Sequence, residues 1–385
     1  MARDGQRVRS GTSGCPAMIR VFALGLLVFL GCDRPTPSIS PQDLLIEQRL
    51  GQQATFTSRL LQAGLASDDP WAEAHLLLAF PGATSLNEVR DRWSARIDDL
   101  NSSIPLHGED GERGEQHPHL MLRTAAWVLP SSHARLVERL QRALASTRSP
   151  SHWQQINDLA WLVEAAAVLK LPATTATADA DLQTLAGTLL DALERSDQRV
   201  QSCLDDGVDR PDGSADPSQA GTWAYTCGGL HLLSALVESV EAGYLVGTDR
   251  QRVVHRLLLL VRRIPWELQF RVAEEQRAVS AGVSQRRAAR HGVLARMKLA
   301  GHGLDVLGRS RAVGVLTHNQ AAKAAQSCHN ASQQLIARFL MEVDPQGLLL
   351  SDKTEAVDPL TWERAFGDGC HLLRGLAVWY SVSQK

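Results

Sequence analysis

Four short stretches constrain this chain more than its composition does. "LAWLVEAA", "GLHLLSAL", "AGHGLDVL" and "GCHLLRGL" place Trp161, His231, His302 and His371 at successive intervals of 70, 71 and 69 residues. The segment 227–245 also lies on 298–316 without a gap, matching His, Leu, Leu, Ser, Gly and Leu at the same six positions. So constant a period argues for an internal repeat. His75 in "AEAHLLLAF" and His119 in "HPHLMLRTA" carry the same His-x-x-Leu pattern at shorter spacing.

Each unit reads as a helix bearing the His or Trp, a turn, a second helix and a longer polar connection. Apolar residues three and four apart run through 155–171, 181–200, 228–245 and 250–264, as amphipathic helices require, while alternating strand patterns are scarce. Asp69-Pro70 and Asp358-Pro359 each offer a capping carboxylate followed by proline at the first helical position, where its missing N–H costs nothing. A single helical hairpin cannot bury its apolar stripe, and stacking hairpins solves that problem. The expected fold is therefore all-α: repeated αα-hairpins in an (α/α)6-like toroid, or otherwise an open α-superhelix. Six candidate first helices, starting near 71, 117, 153, 223, 290 and 360, fit the toroid count. The polar connections 203–221, 266–288 and 344–357 are then expected on one rim, where function usually resides.

The beginning of the chain reads as an address. Arg3, Arg7, Arg9 and Arg20 precede the apolar run 21–30, which is well short of the roughly 20 residues a membrane span needs. Phe29-Leu30-Gly31-Cys32 comes next and resembles the lipobox of bacterial lipoproteins. The resemblance implies a signal peptide over 1–31, cleavage before Cys32 and lipidation of Cys32, with Phe29 standing where Leu is usual. Met18 is an alternative start to Met1. "RPTPSISPQ" favours solvated, extended chain, so 32–45 is expected to be a lipidated tether and 46–385 the α-helical repeat domain. The implied location is the cell envelope, membrane-attached through lipid and facing the periplasm or exterior.

About 340 residues remain after the tether, enough for a large core. A formal charge of −2 and the absence of any nucleic-acid motif argue against nucleic acid as partner. Four further cysteines, Cys203, Cys227, Cys328 and Cys370, suggest two disulfides in an oxidising compartment, Cys203–Cys227 and Cys328–Cys370 being the candidate pairs. The absence of C-x-x-C-H excludes covalent haem attachment.

The candidate pocket comprises Trp161, His231, His302 and His371, with Trp223, Tyr225, Asp305, Asp368 and Arg374 at the mouth of the ring. Aromatic faces such as Trp223 and Tyr225 can stack on sugar rings. Asp305 and Asp368 are conceivable paired carboxylates for glycoside hydrolysis, and Arg374 could neutralise a uronate. Cys227 lies one turn before His231 and Cys370 adjoins His371, so Zn²⁺ ligands could converge if those units face each other; satisfied core histidines explain the same spacing. No short ligand pair supports a metal, and no cofactor motif occurs. The five aspartates Asp205, Asp206, Asp209, Asp212 and Asp216 read as a solvated acidic loop, their spacing differing from an EF-hand.

At the level of pattern, residues 70–385 resemble the toroids of polysaccharide lyases, some glycosidases, terpenoid cyclases and lanthionine synthetase C-like proteins. In the last family the zinc cysteines lie much closer in sequence than Cys227 and Cys370, so that ligand set is not carried over. The reading is an exported lipoprotein that binds a protein or ligand at the cell envelope, the alternative being an enzyme acting on envelope polysaccharide.

Overall fold

The computed structural model describes residues 41–67, 69–99, 119–211, 216–345 and 359–383. Cys32 and the residues read as lipobox and signal segment lie outside them. The chain divides into two compact units, Met1–Leu45 and Ile46–Lys385. Of the first, only the opening of α1 is described; it is helical from Pro41, so five residues expected in the tether are helix instead.

The protein is all-α. Thirteen α-helices occur among the described residues: α1 (Pro41–Leu65), α2 (Pro70–Ala79), α3 (Asn87–Ala95), α4 (Leu120–Val128), α5 (His133–Ser146), α6 (Gln154–Val168) and α7 (Leu182–Asp205), then α8 (Pro217–Ala220), α9 (Leu230–Glu241), α10 (Gly247–Ser280), α11 (Gln285–Ala312), α12 (His318–Arg338) and α13 (Pro359–Ser383). None is long and apolar enough to cross a membrane.

Six of these helices form a closed cycle of contacts. α2 packs on α4, α4 on α6, α6 on α9, α9 on α11, α11 on α13, and α13 returns to α2. Helices buried all round belong inside, and α2 and α9 fit: nine of the ten residues of α2 and ten of the twelve of α9 are buried. α5 shows the opposite pattern, burying only Leu136, Leu140, Ala143 and Leu144 along one stripe, as an outer helix should. The remaining long helices alternate with the inner ones along the chain.

The repeat is visible atom by atom at two helix ends. α9 and α11 terminate at Gly243 (φ 79°) and Gly314 (φ 70°), equivalent positions in the aligned units. The next amide in each case reaches back to a serine carbonyl at 2.8 Å, Tyr244 to Ser239 and Val315 to Ser310. A left-handed glycine closing the last turn explains why both segments carry Gly there.

α11 and α13 cross with backbones in contact. A Cβ on Gly301 would lie 2.4 Å from the His371 carbonyl carbon, and one on Gly375 would lie 2.1 Å from the Gly301 oxygen. Only two glycines permit that approach, and it sets the spacing of the histidines beside them.

One expected connection is not a loop. Residues 266–288 are the far half of α10, the short turn 281–284 and the start of α11. α10 runs through Pro265 because side chains on either side of the proline hold the helix together: Glu267 bridges Arg263 and Arg271 one turn away in each direction, and Trp266 stacks on Phe270 at 5.5 Å. Asp69 does cap α2, accepting from the Trp71 amide at 2.9 Å; Asp358 lies outside the described residues.

Candidate functional site

The marked residues of the repeat meet in one continuous, bent series of ring contacts. Ring centroids run from Trp161 to His231 at 4.0 Å, His231 to His302 at 4.6 Å, His302 to His371 at 3.8 Å, His371 to His75 at 4.9 Å and His75 to Trp71 at 4.0 Å. Five inner helices thus supply one row of aromatic rings. The sixth, α4, supplies Arg123, whose guanidinium lies 4.9 Å over the Trp161 ring. His119 does not join them: it precedes α4 with a left-handed φ of 66°.

The row is buried and has cations beside it, which disfavours the charged form of two of its imidazoles. Burial first, then His231, Lys298, Arg123 and His75, push His302 well below the ordinary histidine range. Burial, His302 and His75 do the same to His371. The His75 Nδ1–H donates to the Trp71 carbonyl at 2.8 Å. By contrast, the buried His302 Nε2 has no hydrogen-bond partner.

Cys227 enters the row from the N-terminal end of α9. It has φ 53° and ψ 30°, and Gly228 and Gly229 continue in the same left-handed region. The turn is pinned from outside: the Gly228 carbonyl accepts from Arg263 Nη1 at 2.7 Å, and the Thr226 amide donates to Asn157 at 3.0 Å. Among the described residues, Cys227, His231 and His302 are the one group of three whose metal-binding atoms all lie within 4.8 Å of one another. The sequence had set Cys227 and His231 against Cys370 and His371. Instead His302 completes the group, His371 stacks beside it, and Cys370 is buried apart, its thiol pushed up by desolvation.

One to two turns further along the inner helices lies a belt of charge. Glu164 accepts from Arg123 at 2.8 Å and Arg309 at 3.3 Å, while Arg309 also reaches Glu238 at 2.9 Å and Asp305 at 2.8 Å. Arg374 pairs with Asp305 at 3.0 Å, and Arg309 lies 4.0 Å over the Trp127 ring. Three carboxylates thus meet three guanidinia. Burial raises Glu238 to about 7, against the pull of Arg309. Sequence reasoning found Asp305 and Arg374 but missed the rest. Glu238 and Arg309 each lie seven residues beyond a marked histidine, so extending the repeat register would have found them.

The proposed mouth of the ring is not one place. Asp305 is fixed inside the belt. Asp368 is buried on α13, and desolvation raises it to about 6 despite Lys298 and Arg364. Trp223 sits in a separate cluster with Val200, Cys203 and Leu259, donating to Glu267 at 3.0 Å between Arg210 and Arg263. The turn 221–224 packs on α7, which carries Trp223 away from the others.

None of the four cysteines of the folded part forms a disulfide. Cys203 belongs to the Trp223 cluster and lies 3.7 Å from the Asp209 carbonyl, whereas Cys227 faces His231, so that candidate pair is split. Cys328 is buried against α11 near Gly303. The aspartates of 205–221 do not converge either: Asp205 pairs with Arg262, Asp216 caps α8, and Asp212 lies outside the described residues.

Tyr225 lines a different feature, an open cleft of about 890 Å³ bounded by the start of α6, by α7 and by residues 216–218. Trp153, whose ring meets Tyr225 edge-on at 6.3 Å, flanks it with His152, Arg195 and Arg199. Comparison with family models, with curated proteins and with solved structures finds no match, so this architecture has to be read from its own chemistry.

Proposed function

We propose that this is an exported, lipid-anchored protein that binds an acidic, hydroxyl-rich ligand, an envelope glycan, in the Trp153/Tyr225 cleft, and that its closed cycle of inner helices is an (α/α)6 toroid serving as a rigid scaffold. The lining of the cleft carries this reading. It combines two aromatic rings, the cations Arg195 and Arg199, and the hydroxyls of Ser151, Thr188, Ser202 and Ser218. Arginine takes carboxylates in bidentate fashion, and aromatic faces cover sugar rings.

Binding is favoured over turnover by what the cleft does not gather. Among its described residues Asp216 is the one carboxylate, and its side chain is engaged in capping α8. Glycoside hydrolysis needs two carboxyl groups across the scissile bond. Asp305 and Asp368, the pair nominated for that chemistry, do not line the cleft.

Titration calorimetry with acidic and neutral envelope glycans tests the reading. A uronate-containing glycan should bind, and Arg195→Ala should weaken it by about tenfold or more, the usual worth of a charge-assisted hydrogen bond. Affinity unchanged by Arg195→Ala and Tyr225→Ala together would remove the cleft as the site. Glycan turnover abolished by Asp368→Asn with the fold retained would replace binder by enzyme.

A further inference from the structure

We infer that Cys227, His231 and His302 form a binding site for a transition-metal ion of the zinc class, held at the row of rings inside the helical cycle. The site goes beyond the glycan reading and does not depend on it, since the cleft lining shares no residue with these three.

Three independent observations converge. The first is placement: a thiol and two imidazoles from the 226–229 turn, α9 and α11 bring their ligand atoms within 4.8 Å of one another. Around tetrahedral zinc such atoms stand about 3.3–3.6 Å apart, given Zn–S near 2.3 Å and Zn–N near 2.0–2.1 Å. Rotamer adjustments of about an ångström therefore suffice. The second is the orphan nitrogen. His302 is 5% exposed and its Nε2 has no hydrogen-bond partner. A buried acceptor left unmet is costly and uncommon in folded proteins, and an ion on Nε2 would relieve that cost. The third is backbone conformation. A non-glycine residue held left-handed is strained, and such strain gathers at functional sites. Here it turns Cys227 inward from a loop held by Arg263 and Asn157.

The donor set chooses the ion. It contains a soft thiolate, two borderline imidazoles and no carboxylate, which suits zinc and its neighbours and disfavours Ca²⁺ and Mg²⁺. Both histidines can coordinate as neutral imidazoles, and Cys227 binds as thiolate after releasing its proton to solvent. Three protein ligands leave the fourth tetrahedral position for water, the pattern of reactive rather than purely structural zinc sites. Cys227 is the partly exposed member, which provides an access route. His371, in tilted ring contact with His302 at 3.8 Å, packs against that ligand from outside the group of three.

The test uses the purified protein stripped with a chelator and titrated with ZnCl₂ or CoCl₂. One equivalent of zinc should bind. Cobalt should give the thiolate charge-transfer absorption and intense visible bands of a tetrahedral thiolate site. Cys227→Ser should lose the charge-transfer band. His302→Gln should weaken zinc by more than the roughly 10–100-fold that loss of an outer partner costs, and His371→Gln by no more than that. Cys370→Ser should change nothing. A readout on the unaltered protein covers the case of misfolded variants: zinc should protect Cys227 from alkylation, monitored by peptide mass spectrometry, while leaving labelling of other thiols unchanged. No bound zinc, a cobalt spectrum without thiolate character, or equal alkylation of Cys227 with and without zinc would overturn the site.

Discussion

Glu267→Gln is the most quantitative perturbation this architecture offers. The carboxylate is 3% exposed and accepts from Arg263 Nε at 2.8 Å and Trp223 Nε1 at 3.0 Å. Arg210 Nε, 3.2 Å from the other oxygen, makes a charge contact rather than an aligned hydrogen bond, and Arg271 stands at 3.8 Å. Burial alone would raise this carboxyl, yet the three arginines hold it down to about 2 from an ordinary 4.5. At about 1.4 kcal/mol per unit that difference corresponds to roughly 3 kcal/mol of stability at neutral pH. Removing one partner of a buried ion pair is independently expected to cost about 3–5 kcal/mol. Because the folded pKa is depressed, the stabilisation is present above pH 4.5 and lost as pH falls through about 2. Urea unfolding monitored by circular dichroism should therefore show Glu267→Gln about 3 kcal/mol less stable at pH 7, with the two proteins converging near pH 2. In a chain of this size the thermal midpoint should fall by roughly 4 °C. A gap below about 1 kcal/mol at pH 7, or one that persists unchanged at pH 2, would refute the argument.

Gly375→Ala and Gly301→Ala should each destabilise by more than the roughly 1–3 kcal/mol of ordinary overpacking, since the new methyl meets backbone rather than a movable side chain; thermal denaturation measures it, and a neutral effect would contradict the close crossing. Asp368 runs opposite to Glu267: its folded pKa is raised, so stability is full below 3.8 and declines as pH rises through about 6. Asp368→Asn should then be more stable than the parent by about 1–3 kcal/mol at pH 7.5, with the difference closing near pH 3.5 in paired urea titrations. Radiolabelled palmitate should enter the protein in a bacterial host and be lost with Cys32→Ala; label that persists in that variant would remove the lipid anchor.

Helix positions were legible in the sequence because the period of apolar residues and the recurrence of His are both local or one-dimensional signals. The six first helices expected near 71, 117, 153, 223, 290 and 360 begin at 70, 120, 154, 230, 285 and 359. The continuation of α10 past Pro265 was not legible, since it rests on salt bridges and ring stacking that compensate a residue normally ending a helix. Nor was the separation of Trp223 from Tyr225, since the tight turn 221–224 gives way to extended backbone at Tyr225 (φ −80°, ψ 152°), or the left-handed turn that begins at the non-glycine Cys227. Cys227 offered no local sign of that conformation. The partner of Cys227 and His231 proved to be His302 rather than Cys370, which depends on which inner helix lies next to α9.

The order in which the inner helices meet bears on how the molecule is made. α2 is complete by residue 79, but the helix that covers its open flank begins at residue 359. A ribosome must therefore deliver nearly the entire polypeptide before Trp71 and His75 leave water. Throughout synthesis the nascent chain keeps greasy surface uncovered, a demand on holding chaperones that an open solenoid, completed one unit at a time, does not make.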